Sequence, residues 1–263
     1  MRKLLTSSIV LVAVLAGCAA TSTPVEQSPA SLPRLKPDVL EVLPHDPAAF
    51  TQGLEFVGAT LYEGTGLTGH SVVQAGPPGQ APSVRAALSP ELFGEGLTVV
   101  GPTLWQLTWQ NGFAIERDAS TLAERRRVPY SGEGWGLCHQ QGSNRLVMSN
   151  GSDKLTFRDP RTFAETGSVT VHSGGQTFGQ LNELECVGDE VYANVWQTDT
   201  ILRIDAATGS VTATVDAAGL LSASEKGSAD VLNGIAAVPG TDQLLLTGKL
   251  WPKMFKVRLV PAP

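Results

Sequence analysis

Gln52-Gly53-Leu54, Glu95-Gly96-Leu97, Trp135-Gly136-Leu137, Asn182-Glu183-Leu184 and Asn233-Gly234-Ile235 share one plan: a polar or indole side chain, a glycine in all but one, then a branched apolar residue. They recur at steps of 43, 40, 47 and 51 residues. A second apolar run begins eight to ten residues after each middle position, at Leu61-Tyr62, Leu104-Trp105, Leu146-Val147-Met148, Val191-Tyr192 and Leu244-Leu245-Leu246. A third, alternating run is clear at Phe113 to Arg117, Leu155 to Arg158 and Ile201 to Ile204, and ends each time on an aspartate: Asp118, Asp159 or Asp205. A carboxylate there can accept from backbone N–H groups two residues on and fix a tight turn, so these aspartates read as hairpin punctuation, not as catalysts. Three or four short strands in each ~45 residues, repeated five times, predict an all-β, five-bladed β-propeller with mostly four-stranded blades. Room for only about three strands remains after Gly234. The alternating segment Val39 to Leu43 can supply the fourth, so an N-terminal strand is expected to close the ring and remove a free edge.

Composition agrees with this reading. The 263 residues include 28 Gly and 17 Pro, which suits many short elements joined by turns, while 17% charged residues is low for long, Lys/Glu-faced helices. A net charge of −6 offers no basic footprint for nucleic acid.

Ahead of the repeats, Arg2 and Lys3 precede the apolar run Leu4 to Ala16, too short for a hydrocarbon core that takes ~20 helical residues. Residues 1–17 read as a signal peptide. Leu15-Ala16-Gly17-Cys18 resembles the bacterial lipobox, which makes Cys18 the expected lipid-attachment site and the first of 246 mature residues carrying a charge of −8. Ala19 after that cysteine, rather than Asp, resembles the sorting pattern for the periplasmic side of a Gram-negative outer membrane. Residues 18–37, with Pro24, Pro29, Pro33 and Pro37 among Ser, Thr and Ala, read as a disordered tether, and 38–260 as the propeller. Export would permit a disulfide between Cys138 and Cys186, but their apolar, strand-like flanks favour two buried free thiols.

In an up-and-down blade, the start of the innermost strand and the end of the antiparallel second strand share one face. Phe50, Gln52, Phe93, Glu95, Trp135, Asn182 and Asn233 stand at such starts, and Trp109, Asn150, Trp196 and Lys249 at such ends. Indoles and a few polar groups converging on one mouth suit a small-ligand pocket.

These residues also carry a family resemblance. Phe50-Thr51-Gln52-Gly53-Leu54-Glu55, Phe93-Gly94-Glu95-Gly96-Leu97, Leu107-Thr108-Trp109, Gly132-Glu133-Gly134-Trp135-Gly136-Leu137, Leu181-Asn182-Glu183-Leu184-Glu185, Ala193-Asn194-Val195-Trp196, Leu232-Asn233-Gly234-Ile235-Ala236 and Thr247-Gly248-Lys249-Leu250-Trp251-Pro252 resemble, in order, the plant and bacterial type of glutaminyl-peptide cyclotransferase. The resemblance implies a five-bladed propeller that converts an N-terminal glutamine into pyroglutamate with loss of ammonia, unrelated in fold to the zinc-dependent animal type. Gly64, His70 and the outer turn Gly76-Pro77-Pro78-Gly79 depart from the family pattern and concern the shape of the rim.

Such a reaction is intramolecular: the α-amine attacks the γ-carboxamide of the same residue. Holding the curled conformer can supply up to ~7–11 kcal/mol. Glu95, among aromatic rings, is the expected proton carrier, with a raised pKa that suits taking a proton from the amine and giving it to the leaving group. The resemblance implies the same role. Gln52 and Asn182 can hold the substrate carbonyl or amine, and Lys249 can balance Glu95 or a developing oxyanion. Phe50, Phe93, Trp109, Trp135 and Trp196 are expected to grip the glutamine side chain and exclude water.

No cofactor is called for. His45, His70, His139 and His172 show no metal-binding spacing, so no zinc site is expected. Glu133, Glu183 and Glu185 are expected to be tied into backbone hydrogen bonds at blade junctions, and Arg125-Arg126-Arg127 to form a solvated cluster. The expected partners are peptides or proteins with N-terminal glutamine, and a membrane through Cys18, for a monomeric enzyme. The alternative is a non-catalytic propeller that binds peptides or envelope partners. A pure binder has no need of Glu95 and Lys249 together.

Overall fold

A computed structural model describes residues 32–263. The predicted signal peptide, Cys18 and most of the predicted tether lie outside the described residues. The chain is all-β apart from one four-residue helix among the described residues. It opens with β1 (Arg34–Pro44) and continues through a meander of β2 (Thr51–Val57), β3 (Thr60–Thr65), β4 (Val72–Gly76) and β5 (Val84–Ala87). The second meander is β6 (Gly94–Val100), β7 (Thr103–Thr108), β8 (Phe113–Asp118) and β9 (Glu124–Pro129). The third is β10 (Leu137–Gln140), β11 (Arg145–Met148), β12 (Lys154–Arg158) and β13 (Glu165–Thr170), followed by a small hairpin, β14 (His172–Ser173) and β15 (Gln176–Thr177). The fourth is β16 (Leu181–Val187), β17 (Glu190–Val195), β18 (Thr200–Asp205) and β19 (Val211–Asp216). After α1 (Ala223–Lys226), β20 (Leu232–Ala237), β21 (Gln243–Gly248) and β22 (Lys253–Pro261) complete the chain.

The last meander has three strands of its own, and β1 supplies a fourth. It runs antiparallel to β22 from Leu35 opposite Pro261 to Pro44 opposite Lys253. Its first residues also pair in parallel with β19, Arg34 opposite Thr214 and Leu35 opposite Val215. That short contact joins the fourth and fifth meanders into one eight-stranded sheet, β16-β17-β18-β19-β1-β22-β21-β20. The strand starts earlier than the sequence suggested, so Arg34 to Pro37 belong to β1 and not to a tether. Beyond Leu35 only β22 pairs with β1, and on such an outer strand a proline's missing N–H need not cost a ladder bond.

The first strands of the meanders neighbour one another in the cycle β2, β6, β10, β16, β20 and back to β2. The glycine of the opening motif is a consequence of this crowding. A Cβ on Gly96 would stand 2.6 Å from the Trp135 carbonyl oxygen, and one on Gly136 2.1 Å from that of Asn182. Asn182-Glu183-Leu184 is the motif without glycine, and there a carboxylate fills the middle. Glu183 Oε1 accepts from Leu54 N–H (3.2 Å) and Oε2 from Ile235 N–H (2.9 Å), while Glu185 accepts from Ala237 N–H (2.8 Å). These two glutamates are tied to backbone across meanders, as expected.

The turn aspartates behave as the sequence indicated. Asp118 Oδ1 accepts from the N–H groups of Ser120 and Thr121 (both 2.9 Å), Asp159 from Arg161 and Thr162 (3.0 and 2.8 Å), and Asp205 from Ala207 and Thr208 (3.1 and 2.8 Å). Between meanders the core is apolar. Fully buried Trp105 lies 4.9 Å from the Phe163 ring and donates its indole N–H to Pro160. Arg125, Arg126 and Arg127 lie on exposed β9 and pair with Asp118, Glu116 and Glu124.

The cysteines correct the expectation of free thiols. Cys138 on β10 and Cys186 on β16 are bonded, with Cα atoms 5.5 Å apart. Both sit on first strands of successive meanders, and the close approach of those strands brings the sulfurs together. Apolar flanks reported the burial of Cys138 correctly but not its partner.

Candidate active site

Four of the opening motifs fall on breaks in strand register. The β2/β3 ladder slips between Thr51 and Gly53, β6/β7 between Gly94 and Leu97, β16/β17 between Leu181 and Leu184, and β20/β21 between Leu232 and Ile235. Gln52, Glu95, Asn182 and Asn233 lie within these breaks, released from regular pairing. Bulges of this kind re-aim side chains, and they are common beside active sites.

Three of these side chains meet in a cavity of about 310 Å³. Its walls contain every residue that the sequence assigned to catalysis or substrate binding: Phe50, Gln52, Phe93, Glu95, Trp109, Trp135, Asn182, Trp196 and Lys249. Asn233 lies behind the wall and donates to Thr51 O (2.9 Å) and Gln52 Oε1 (3.3 Å). Asn150 is not part of the cavity; its carboxamide oxygen fixes a turn by accepting from Ser152.

The apolar wall is a train of rings. Phe50 meets Phe93 edge-on at 6.2 Å, Phe93 lies 5.5 Å from Trp109, and Trp135 meets Trp196 edge-on at 5.6 Å. Lys249 Nζ sits 4.9 Å over the Phe50 ring. Glu95 is buried, at 4% exposure. Its Oε1 accepts from Gln52 Nε2 at 3.1 Å, and its Oε2 is buried with no hydrogen-bond partner.

Burial drives the Glu95 carboxyl well above its ordinary pKa; the Lys249 charge pulls it down and the Glu133 charge pushes it up. Burial also lowers Lys249, against the opposing pull of Glu95 and Asp230. Glu133 goes the other way. Burial would raise it, but hydrogen bonds from Gln110, Trp135 and Trp109 prevail and hold it below the usual carboxylate value. One carboxyl is thus biased toward holding a proton and its neighbour toward remaining ionised, the separation that acid–base sites employ.

Glu133 also corrects the sequence reading. Instead of joining backbone groups, its Oε2 accepts from both Trp109 Nε1 (2.9 Å) and Trp135 Nε1 (3.0 Å), and its Oε1 from Gln110 Nε2 (2.7 Å). It fixes two indoles of the wall from outside the cavity. Gln197, Asp230 and Val231 complete the lining and were not anticipated. Gln197 has φ 62°, a left-handed backbone uncommon for a non-glycine residue and a recurrent mark of functional sites.

A separate cleft of about 360 Å³ lies between Pro44-His45-Asp46 and the Gly76-Pro77-Pro78-Gly79 turn. In it, Glu63 Oε1 accepts from His45 Nε2 (2.9 Å) and Thr51 Oγ1 (2.8 Å), and Oε2 from Gln74 Nε2 (2.9 Å). Both of its oxygens are engaged internally, so the pair acts as a strut that ties Thr51 of β2 to β3, β4 and the chain after β1.

A family model described as glutamine cyclotransferase matches residues 9–259. The chain is 37% identical over 233 residues to a glutaminyl-peptide cyclotransferase of Arabidopsis thaliana, an overlap of 86% of this chain and 72% of the plant protein. The crystal structure of Myxococcus xanthus glutaminyl cyclase superposes with a TM-score of 0.78 at 38% identity, covering 88% of this chain and all of that one. With a family match spanning nearly its whole length, the chain belongs to the glutamine cyclotransferase family.

Proposed function

We propose that this protein is a glutaminyl-peptide cyclotransferase that converts the N-terminal glutamine of peptides or proteins to pyroglutamate and releases ammonia. The observation that carries the reading is the Glu95 carboxyl, buried among aromatic rings with one oxygen held by Gln52 and the other without a hydrogen-bond partner. A peptide-binding scaffold gains nothing from an unpartnered buried carboxylate, which is costly unless a ligand completes it.

The substrate glutamine curls in the ring-lined cavity, where Trp109, Trp135, Trp196 and Phe93 exclude water. Its α-nitrogen forms a bond to the γ-carbonyl carbon. Glu95 Oε2 takes the proton from the amine and returns it to the departing NH₂, so ammonia leaves and no co-reactant is consumed. Lys249 and the amide donors of Gln52 and Asn182 stabilise charge developing on the γ-oxygen.

The architecture behind the site is a five-bladed β-propeller closed by β1. The cyclic order of first strands and the β1–β22 pairing support it. The N-terminal residues direct the chain to the bacterial envelope, where Cys18 is lipidated and the domain faces the periplasm as a monomer. Ammonia release from glutaminamide and from glutaminyl peptides by the full chain tests the activity, and inert but folded protein would return the reading to a non-catalytic binder. Incorporation of labelled palmitate that persists in Cys18→Ala would remove the anchor.

A further inference from the structure

The backbone of Asp230 and Val231 forms a fixed ridge. Asp230 N–H donates to Lys249 O (2.8 Å), Lys249 N–H to Val231 O (2.9 Å) and Trp251 Nε1 to Asp230 O (2.9 Å). On one side of the ridge lies the catalytic cavity, which has both residues in its wall. On the other lies a hollow of about 280 Å³ with the same two residues in its wall, so the two spaces adjoin along this ridge. Leu221, Ala229 and Trp251 supply the apolar part of the hollow, and the Asp199–Lys226 ion pair (3.4 Å) belongs to its polar part. One loop serves both spaces, with Trp196 and Gln197 in the first and Asp199 in the second. The other wall, around α1, is tied down by an ion pair between Glu225 and Lys253.

A glutamine whose amine and side chain are curled inside the first cavity must send its carbonyl, and the chain beyond, out over a lip. The ridge has spent its inward backbone groups on Lys249 and Trp251. It offers the emerging chain the Val231 side chain and the exposed Asp230 carboxylate, whose Oδ1 accepts from Val231 N–H (2.6 Å), leaving Oδ2 for a substrate N–H. We propose that the hollow is the subsite for the residue following the substrate glutamine, and that it selects an apolar side chain such as Leu or Phe. With Asp199 offset by Lys226, the Asp230 carboxylate opposes an acidic side chain there. This subsite rests on the cyclotransferase reading.

The test compares kcat/KM of the full chain for ammonia release from glutaminamide and from the peptide amides Gln-Leu-Ala, Gln-Gly-Ala and Gln-Glu-Ala. The Leu peptide is expected to exceed the Gly peptide by about tenfold, in line with the worth of a few methylenes in an apolar pocket, and to exceed the Glu peptide by more. Ala229→Tyr, which fills the hollow, is expected to bring the Leu and Gly peptides within about twofold of each other. Glutaminamide has no second residue, so its turnover reports the fold and the first cavity separately. Asp230→Asn is a second variant, expected to narrow the gap between the Leu and Glu peptides by about threefold or more. Equal rates for Leu and Gly peptides in the unmodified chain, a preference that survives Ala229→Tyr, or a Glu penalty that survives Asp230→Asn would overturn the subsite while glutaminamide turnover left the activity standing. No turnover of any substrate would overturn the activity and the subsite with it.

Discussion

Gln52 Nε2 donates to Glu95 Oε1 at 3.1 Å, and the same carboxamide accepts through Oε1 from Asn233 Nδ2 at 3.3 Å, so its orientation is fixed from both ends. Glu95 is thereby left with one tethered oxygen and one free. Glu95→Gln keeps an acceptor for Gln52 but removes the group that carries the proton. Its kcat is expected to fall by about 10²–10⁴-fold. The melting temperature, read by circular dichroism, should change little, because a neutral amide replaces a carboxyl that burial already biases toward its neutral form. A parallel loss of stability would make Glu95 a structural residue.

The acid limb of the kcat/KM profile should follow Glu95 and lie above the ordinary carboxylate range. Two substitutions are expected to move it in opposite directions. Lys249→Met removes a charge that lowers the Glu95 pKa, so the limb shifts to higher pH. Glu133→Gln removes a charge that raises it, so the limb shifts to lower pH, and indole fluorescence changes as Trp109 and Trp135 lose a shared carboxylate. A limb indifferent to both would show that another group titrates.

Stability should fall as pH rises toward the alkaline side. Glu55 is raised to about 7 and Glu183 and Glu185 well above 4.5, all chiefly by burial. Above 4.5 the folded chain therefore holds protons that the unfolded chain has released, and this stabilisation disappears as pH rises through the folded values. His45, whose pKa its Glu63 partner raises against the opposing effect of burial, loses stabilisation in the same direction. The melting temperature is expected to be lower at pH 8 than at pH 5.5, with a shallower slope in Glu55→Gln. A rise across that interval would contradict the assignment.

Reducing the Cys138–Cys186 bond, which spans 48 residues, should cost about 2–4 kcal/mol through the greater freedom of the unfolded chain. Chemical denaturation with and without reductant measures this. Because both sulfurs lie outside the cavity wall, turnover of glutaminamide at room temperature should persist.

The sequence was most informative where the backbone allows few substitutes. Gly96 and Gly136 mark strands that nearly touch, and Asp118, Asp159 and Asp205 mark turns that need a local acceptor, so both leave a period. The rings and polar groups of the cavity were found because they stand at equivalent places in that period. Asp230 has no such counterpart, and Gln197 follows Trp196 as Gln110 follows Trp109, yet only Gln197 of the two lines the cavity, so only the folded chain identifies them. Glu133 was misread because it stands two residues before Trp135 in an irregular loop, where spacing does not show which way a side chain turns. The register breaks at Gln52 and Glu95 were equally invisible, since a bulge changes geometry without changing the apolar pattern.

The pairing of β1 with β22 places nearly the whole length of the chain between two adjacent strands. Residues 34–44 leave the ribosome more than two hundred residues ahead of their antiparallel partner, 253–261. Closure of this sheet must therefore wait until β22 has been made. A chain in that interval carries an unclosed edge, and a contact so distant in sequence is of the kind that forms slowly.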